Sequence, residues 1–157
     1  MKRKYLAKDK LYALKKDFPS EMDFDDTLEK PALIILKQQV FVEIMHILKI
    51  RYKFDMLSNI TAVDYADHFE VVYDLANRTN NEELMVKIAL AKTDTNIPTL
   101  TKLWPEADFQ EREQYDLMGI NFLGHPNLQR ILLPDDFIGH PLQKSYKQVE
   151  KGGISEK

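Results

Sequence analysis

A chain of 157 residues has the length of one domain, and its 44% hydrophobic and 30% charged residues suit an ordinary globular fold. With no cysteine, disulfides, a self-contained iron–sulfur cluster and a Cys-type zinc site are all excluded. A formal net charge of -3 gives no global pull towards nucleic acid. No apolar run approaches the length needed to cross a bilayer. The start MKRKYLAKDK is basic but lacks the apolar region of a secretory signal, so the cytoplasmic side is expected.

In chain order, Lys2, Arg3, Lys4, Lys8, Lys10, Lys15 and Lys16 form a basic start. An acidic stretch from Asp17 to Glu29 follows, with Asp23, Asp25 and Asp26. Two readings stand: a solvated helix followed by a polar loop, or a basic arm for a partner or for anionic lipid headgroups. Residues 3–17 read as a short surface helix with Tyr5, Leu6, Leu11, Tyr12 and Leu14 as its apolar contacts. Phe18-Pro19-Ser20 stops it, because proline cannot continue a helix. Ala32 to Leu36 is short, rich in β-branched residues and preceded by Pro31, which predicts a strand. Gln39 to Arg51 predicts an amphipathic helix, with Val40, Ile44, Ile47 and Leu48 on one face and Glu43, His46 and Lys49 on another.

Met56 to Val63 reads as a strand ending at Asp64. Apolar residues then alternate at Phe69, Val71, Tyr73 and Leu75, and again at Leu84, Val86, Ile88 and Leu90, across the polar loop 77–81. Period-2 alternation on both sides of a polar turn predicts an antiparallel hairpin with one face on a core. Pro105 and Asp108 open a second long helix that runs to about Met118, where Gly119 supplies the left-handed turn. From Ile120 to Tyr146 no period holds. The segment is nevertheless apolar, with Phe122, Leu123, Leu128, Ile131, Leu132, Leu133, Phe137, Ile138 and Leu142, so it needs a surface to pack on. Trp104 reads as a packing anchor.

The expected architecture is α+β: two layers, a mixed or antiparallel sheet of about four or five strands, helices mainly on one face, and an extended C-terminal arm. The expected divisions are 1–30 (basic helix and acidic linker), 31–119 (core domain) and 120–157 (docking arm and tail).

Three patterns carry chemistry. Asp108, Arg112 and Asp116 lie at i, i+4 and i+8, so both carboxylates can flank the guanidinium. With Glu111 and Glu113 the helix holds more acid than one arginine satisfies, and it can offer that acid to Arg130, Lys144 or a partner chain. Acid–base work by these carboxylates would need a pocket that separates their pKa values. Second, Gly124-His125-Pro126 and Gly139-His140-Pro141 repeat, with Asp135-Asp136 between them. Two loop corners whose histidines bond to backbone are favoured over a metal site, because no second histidine follows at helical spacing. A metal-dependent hydrolase using His125, His140, Asp135 and Asp136 is the rival from another class. Third, there is no Gly-x-Ser-x-Gly elbow, and the five glycines form no phosphate-binding loop.

The run Leu103-Trp104-Pro105, Glu111-Arg112-Glu113-x-x-Asp116-Leu117-x-Gly119-Ile120-x-Phe122-x-Gly124-His125-Pro126, Arg130 to Asp136 and Gly139-His140-Pro141-Leu142-x-Lys144-x-Tyr146 closely resembles one family. It is the 30-kDa subunit family of NADH:quinone oxidoreductase, respiratory complex I. Leu57 to Asp64 and His68 to Leu75 match that family's strand pair, and the resemblance spans about residues 31–146. Phe137, Gln143, Ser145 and Gln129 depart from the residues usual there. The resemblance implies a hydrophilic peripheral-arm subunit that carries no flavin and no cluster, while flavin, iron–sulfur clusters and quinone sit on other subunits. It implies a C-terminal segment that wraps over the quinone-site neighbour. The partner-interface residues would be Glu111, Arg112, Glu113, Asp116, His125, Arg130, Asp135, Asp136, His140 and Lys144, with none catalytic and none ligating metal or cofactor. The corresponding subunit of a membrane-bound hydrogenase, or of a quinone reductase with another electron donor, remains the near alternative.

Overall fold

The computed structural model describes residues 4–147 except 26, 28 and 29. Lys2, Arg3, Asp26, Glu29 and the tail after 147 lie outside the described residues. In chain order the elements are β1 (Lys4–Tyr5), α1 (Lys8–Asp17), β2 (Met22–Asp25), β3 (Ala32–Ile35), a 3-10 turn (Gln38–Val40), α2 (Phe41–Ile50), β4 (Met56–Asp64), β5 (His68–Asn77), β6 (Glu82–Ala91), β7 (Asn96–Pro98), α3 (Ala107–Met118) and β8 (Asn121–Leu123). The main sheet runs β2-β3-β6-β5-β4, with β1 added beside β6, and β7 pairs with β8 in a small second sheet.

The central hairpin has the predicted register. Leu75 lies opposite Leu84, Tyr73 opposite Val86, Val71 opposite Ile88 and Phe69 opposite Leu90, so both apolar rows share one face. All eight side chains are buried. On the neighbouring β4 the pairing shifts between Leu57 and Asn59. That bulge lets Leu57 and Ile60, three residues apart, both reach the core while Ser58 and Asn59 stay in solvent. Against this face pack Leu11 and Leu14 of α1, Phe41, Ile44, Met45 and Leu48 of α2, and Trp104 with Ala107 and Met118. Trp104 is the anchor expected of it: fully buried, its indole N–H donates to the Phe54 carbonyl at 3.1 Å.

The N-terminal third differs from its expectation. The predicted 3–17 helix is a two-residue strand followed by a shorter helix, because the Lys4 and Leu6 N–H groups donate to the Asn81 and Glu83 carbonyls. The acidic stretch, expected as a linker, contains β2 antiparallel to β3. Met22 is fully buried while Asp23 points to solvent, so the strand carries a core residue and a charge that blunts the sheet edge. The sheet therefore has six strands, and Leu6, Leu11, Leu14, Phe18 and Met22 join the same core as Trp104 and Phe122. Residues 1–30 are not a separate unit, as far as they are described. Nor is 120 a clean boundary, since Ile120 and Phe122 are buried and β8 pairs parallel with β7.

Candidate functional site

The C-terminal end of α3 and the segment behind it form one polar knot. A helix leaves its last carbonyls without partners inside the helix. Here the arm supplies them. The Asp116 carbonyl accepts from Arg130 Nη1 at 3.0 Å and His140 Nδ1 at 2.9 Å, the Leu117 carbonyl from the Leu142 N–H at 3.1 Å, and the Met118 carbonyl from Gln143 Nε2 at 2.7 Å. The cationic Arg130 also sits at the negative end of the helix dipole. Gly119 ends the helix at φ 74°, and a Cβ there would meet the His140 ring at 2.7 Å. Only glycine allows the ring to lie over this turn.

The Asp116 carboxylate is fully buried and anchors the same knot. Oδ1 accepts from Arg130 Nη1 at 2.6 Å, and Oδ2 from the N–H groups of Ile131, Leu132 and Leu133 at 3.1, 2.9 and 3.0 Å. Burial pushes its pKa up, but the Leu133 N–H, the Arg130 guanidinium and the Leu132 and Ile131 N–H groups outweigh that and hold it down to about 2. Arg130 Nη2 reaches on to the Phe137 and Gly139 carbonyls at 3.1 and 2.9 Å. One arginine thus ties the helix to two turns of the arm. The far end is pinned by Asp64, which accepts from the Lys144 N–H at 2.7 Å and pairs with Lys92 at 2.5 Å.

One helical turn earlier, Glu111 lies fully buried against the loop before α3. It accepts from Thr99 Oγ1 at 2.5 Å and the Leu100 N–H at 2.7 Å. Burial pushes its pKa up to about 7 against those two bonds. His125 packs alongside with its side chain out of solvent. Its Nδ1 accepts from the Asn127 N–H at 3.0 Å, so the ring proton is on Nε2, which donates to the Asp108 carbonyl at 3.1 Å. The buried Tyr73 hydroxyl has no hydrogen-bond partner among the described residues; its pKa is pushed well up, by burial first and by the Glu111 charge second.

Both histidines of the repeated tripeptide bond to backbone, and Gly124 and Gly139 take φ values of 81° and 91°, as expected of loop corners. Asp135 and Asp136 stay exposed. Among the described residues no group of three or more His, Cys, Asp or Glu side chains is placed to hold a metal, so the hydrolase rival's four residues are not gathered.

The i, i+4, i+8 arrangement is not realised. Arg112 turns its Nε to the Gln129 carbonyl at 3.2 Å, Asp116 goes to Arg130, and Asp108 Oδ1 lies 3.4 Å from His125. The helix offers its acid to Arg130, which was the other expectation. Glu111, Asp116 and His125, expected at a partner interface, are instead turned inside the chain. Their polar atoms are used internally, so they can shape a docking surface without touching a partner. Glu113 is half-buried, and Lys144 is exposed with its N–H engaged by Asp64. Sequence reasoning missed Thr99, Asp64, Gln143 and Tyr73. The only signal was Gln143 at a departure from the resembled pattern.

Outward lie large apolar side chains, Phe109 on α3 at 58% exposure and Leu132, Ile138 and Leu142 on the arm at 54%, 79% and 59%, beside the exposed charges of Asp135, Asp136 and Lys144. The arm therefore has a polar inner side consumed by α3 and an outer side on which large apolar residues stand among a few charges.

Comparison with known proteins places this architecture. Residues 34–151 match the family model described as "Respiratory-chain NADH dehydrogenase, 30 Kd subunit". The chain is 42% identical over 142 residues to the C-type subunit of the NADH-quinone oxidoreductase of Moorella thermoacetica, covering 89% of this chain and 95% of that one. It is 38% identical over 144 residues to the C/D-type subunit of the same enzyme in Acinetobacter baylyi, covering 85% of this chain but 24% of that longer one. A solved trypsin-resistant fragment of Nqo5 superposes with a TM-score of 0.66 at 29% identity, over 75% of this chain and 98% of the fragment. A chain of the membrane-bound sulfane sulfur reductase, an archaeal respiratory complex, shares the fold at a TM-score of 0.76 and 21% identity, over 90% of this chain and 86% of that one. The chain belongs to the 30-kDa subunit family of the respiratory-chain NADH dehydrogenases.

Proposed function

We propose that this chain is a scaffolding subunit of a membrane-bound NADH:quinone oxidoreductase, itself without catalytic residues or cofactor. It docks through its C-terminal arm on the quinone-site neighbour, on the cytoplasmic side of the membrane. The complex performs the redox chemistry, and this chain holds two other parts in register. The observation that carries the reading is the two-sided arm. Its backbone and its Arg130, His140 and Gln143 side chains are spent on α3, while Ile138 and Leu142 face outward at 79% and 59% exposure. Such a surface is ready-made for a partner, because little ordering remains to be done on binding. The Acinetobacter baylyi relative supports a fixed neighbour, since its C/D name joins two subunits in one longer chain.

The test is affinity purification of the full chain from detergent-solubilised membranes, beside an Ile138→Asp/Leu142→Asp variant. The wild-type chain should bring down iron–sulfur and NADH-binding subunits together with the quinone-site subunit. The variant should keep its melting temperature within a few degrees and lose the quinone-site neighbour. Hydrogenase subunits in the eluate would move the chain to the sister branch. A wild-type chain that elutes alone would end the scaffold reading.

A further inference from the structure

The basic start of the sequence is not used by the docking arm, and one of its lysines lines an open groove at the opposite end of the sheet. The arm is pinned at Asp64 and Lys92, beside the β4–β5 turn. The groove lies at the β5–β6 tip, ten residues of β5 away, or roughly 30 Å at the strand rise. It consists of two adjoining cavities of about 350 and 370 Å³ that share Lys53, Asn77 and Asn80. Lys49 and Ile50 line the first, and Lys10, Arg51 and Tyr52 the second; the carboxylates on the walls are Asp55 and Asp9.

The walls are built rather than loose. Asn77 is 2% exposed; its Nδ2 donates to the Tyr52 carbonyl while its Oδ1 accepts from the Thr79 and Asn80 N–H groups. Asp55 is occupied by the N–H and Nε of Arg78, at 3.0 and 2.8 Å. At the centre stands Lys53, exposed, at φ 61°, and with no partner for its ammonium among the described residues. A left-handed position favours glycine, so lysine there, three residues past the end of α2, is held against a backbone cost. Arg51 pairs with Asp17 at 3.3 Å and lies over the Tyr52 ring, and Lys10 pairs with Glu82 at 3.2 Å; the exposed Arg51–Asp17 pairing opens at little cost. Lys49 is already turned to the Leu103 carbonyl and the Trp104 ring.

We propose that this groove binds a phosphate group, with Lys53 as its central cation and Arg51 and Lys10 closing on it. The phosphate can belong to an anionic phospholipid headgroup or to a soluble phosphate compound. Ile50, 52% exposed on the rim, gives an amphiphile an apolar contact beside the charge.

The full chain is titrated with inorganic phosphate against chloride at equal ionic strength, following amide shifts by NMR. Shifts should concentrate at 51–55 and 77–80. Lys53→Gly should weaken binding at least tenfold while raising the melting temperature, a combination that misfolding cannot produce. Lys53→Arg should retain binding, and Lys147→Ala, at the arm's end, should leave it unchanged. Co-sedimentation with phosphatidylglycerol–phosphatidylcholine vesicles separates the two sources. Vesicle binding that Lys53→Gly removes identifies the headgroup, and phosphate binding without vesicle binding identifies a soluble ligand. No phosphate-specific shift at these amides, or undiminished binding by Lys53→Gly, overturns the proposal.

Discussion

Arg130 and Arg112 differ by what each would leave behind if removed. Arg130 neutralises a carboxylate with no access to water, and removing one member of a buried pair leaves an uncompensated charge. Arg130→Ala should therefore cost about 3–5 kcal/mol in urea denaturation. Arg112 gives one side-chain hydrogen bond to a carbonyl at the surface, so Arg112→Ala should cost about 1 kcal/mol or less. Equal costs would contradict the knot. The two buried carboxylates of α3 also titrate in opposite senses. Asp116, held at about 2 from its ordinary 3.8, contributes stability that is present above pH 4 and lost as pH falls towards 2. Glu111, raised to about 7 from 4.5, behaves the other way. Below pH 4.5 it is protonated whether the chain is folded or not; as pH rises through 7 the folded chain must carry a buried charge. Stability should fall by up to ~3 kcal/mol across that window. Glu111→Gln should flatten the decline between pH 5 and 8 in paired unfolding curves, and an unchanged slope would show that another group causes it.

At the scale of elements, legibility followed periodicity and locality. The β5–β6 hairpin could be read because its apolar residues alternate through both strands, and α3 because Gly119 marks its end. Strand β1 could not, since two residues show no period, and β2 could not, since its four alternating residues, Met22 to Asp25, are too short to stand out from the acidic run around them. The pairing of β1 comes from β6, which is distant in sequence, and that of β2 from the nearby β3. The same reason hid half of the site. Helical spacing pointed Asp108 and Asp116 at Arg112, yet a carboxylate near the helix end does better with Arg130 and three free N–H groups that follow it. Gly119 was recognised as a helix stop, but its closeness to His140 lies in the tertiary structure. Gly119→Ala should thus cost more than the ~1–3 kcal/mol of a left-handed alanine, because the His140 ring must also move. Hydrogen exchange would locate the damage: faster exchange at Leu142 and Gln143 is expected, with the β5–β6 amides unaffected. A uniform loss of protection would mean that the arm and sheet unfold together.

For the whole molecule, the arm is the part whose role depends on how it is attached. A segment that ordered only on a partner would hold its shape through that partner alone, whereas this one is held by Asp116, Asp64 and the last carbonyls of α3. The core under the sheet draws nothing from residues beyond Phe122, apart from the partly buried Leu128. Removal of everything from Asp135 onward should therefore leave the sheet folded, since the Asp116–Arg130 pair and the three N–H donors lie upstream of the cut. It would strip His140, Leu142 and Gln143 from the helix end and leave Arg130 without the Phe137 and Gly139 carbonyls. The truncated chain is expected to unfold cooperatively at a lower temperature, with its far-ultraviolet circular dichroism nearly unchanged. It should be absent from the assembled complex in native gels of membranes. If it assembled normally, Phe109 and the remaining surface would have to carry the docking. If instead its sheet signal collapsed, the arm would be part of the fold's foundation rather than a clasp laid over a finished core.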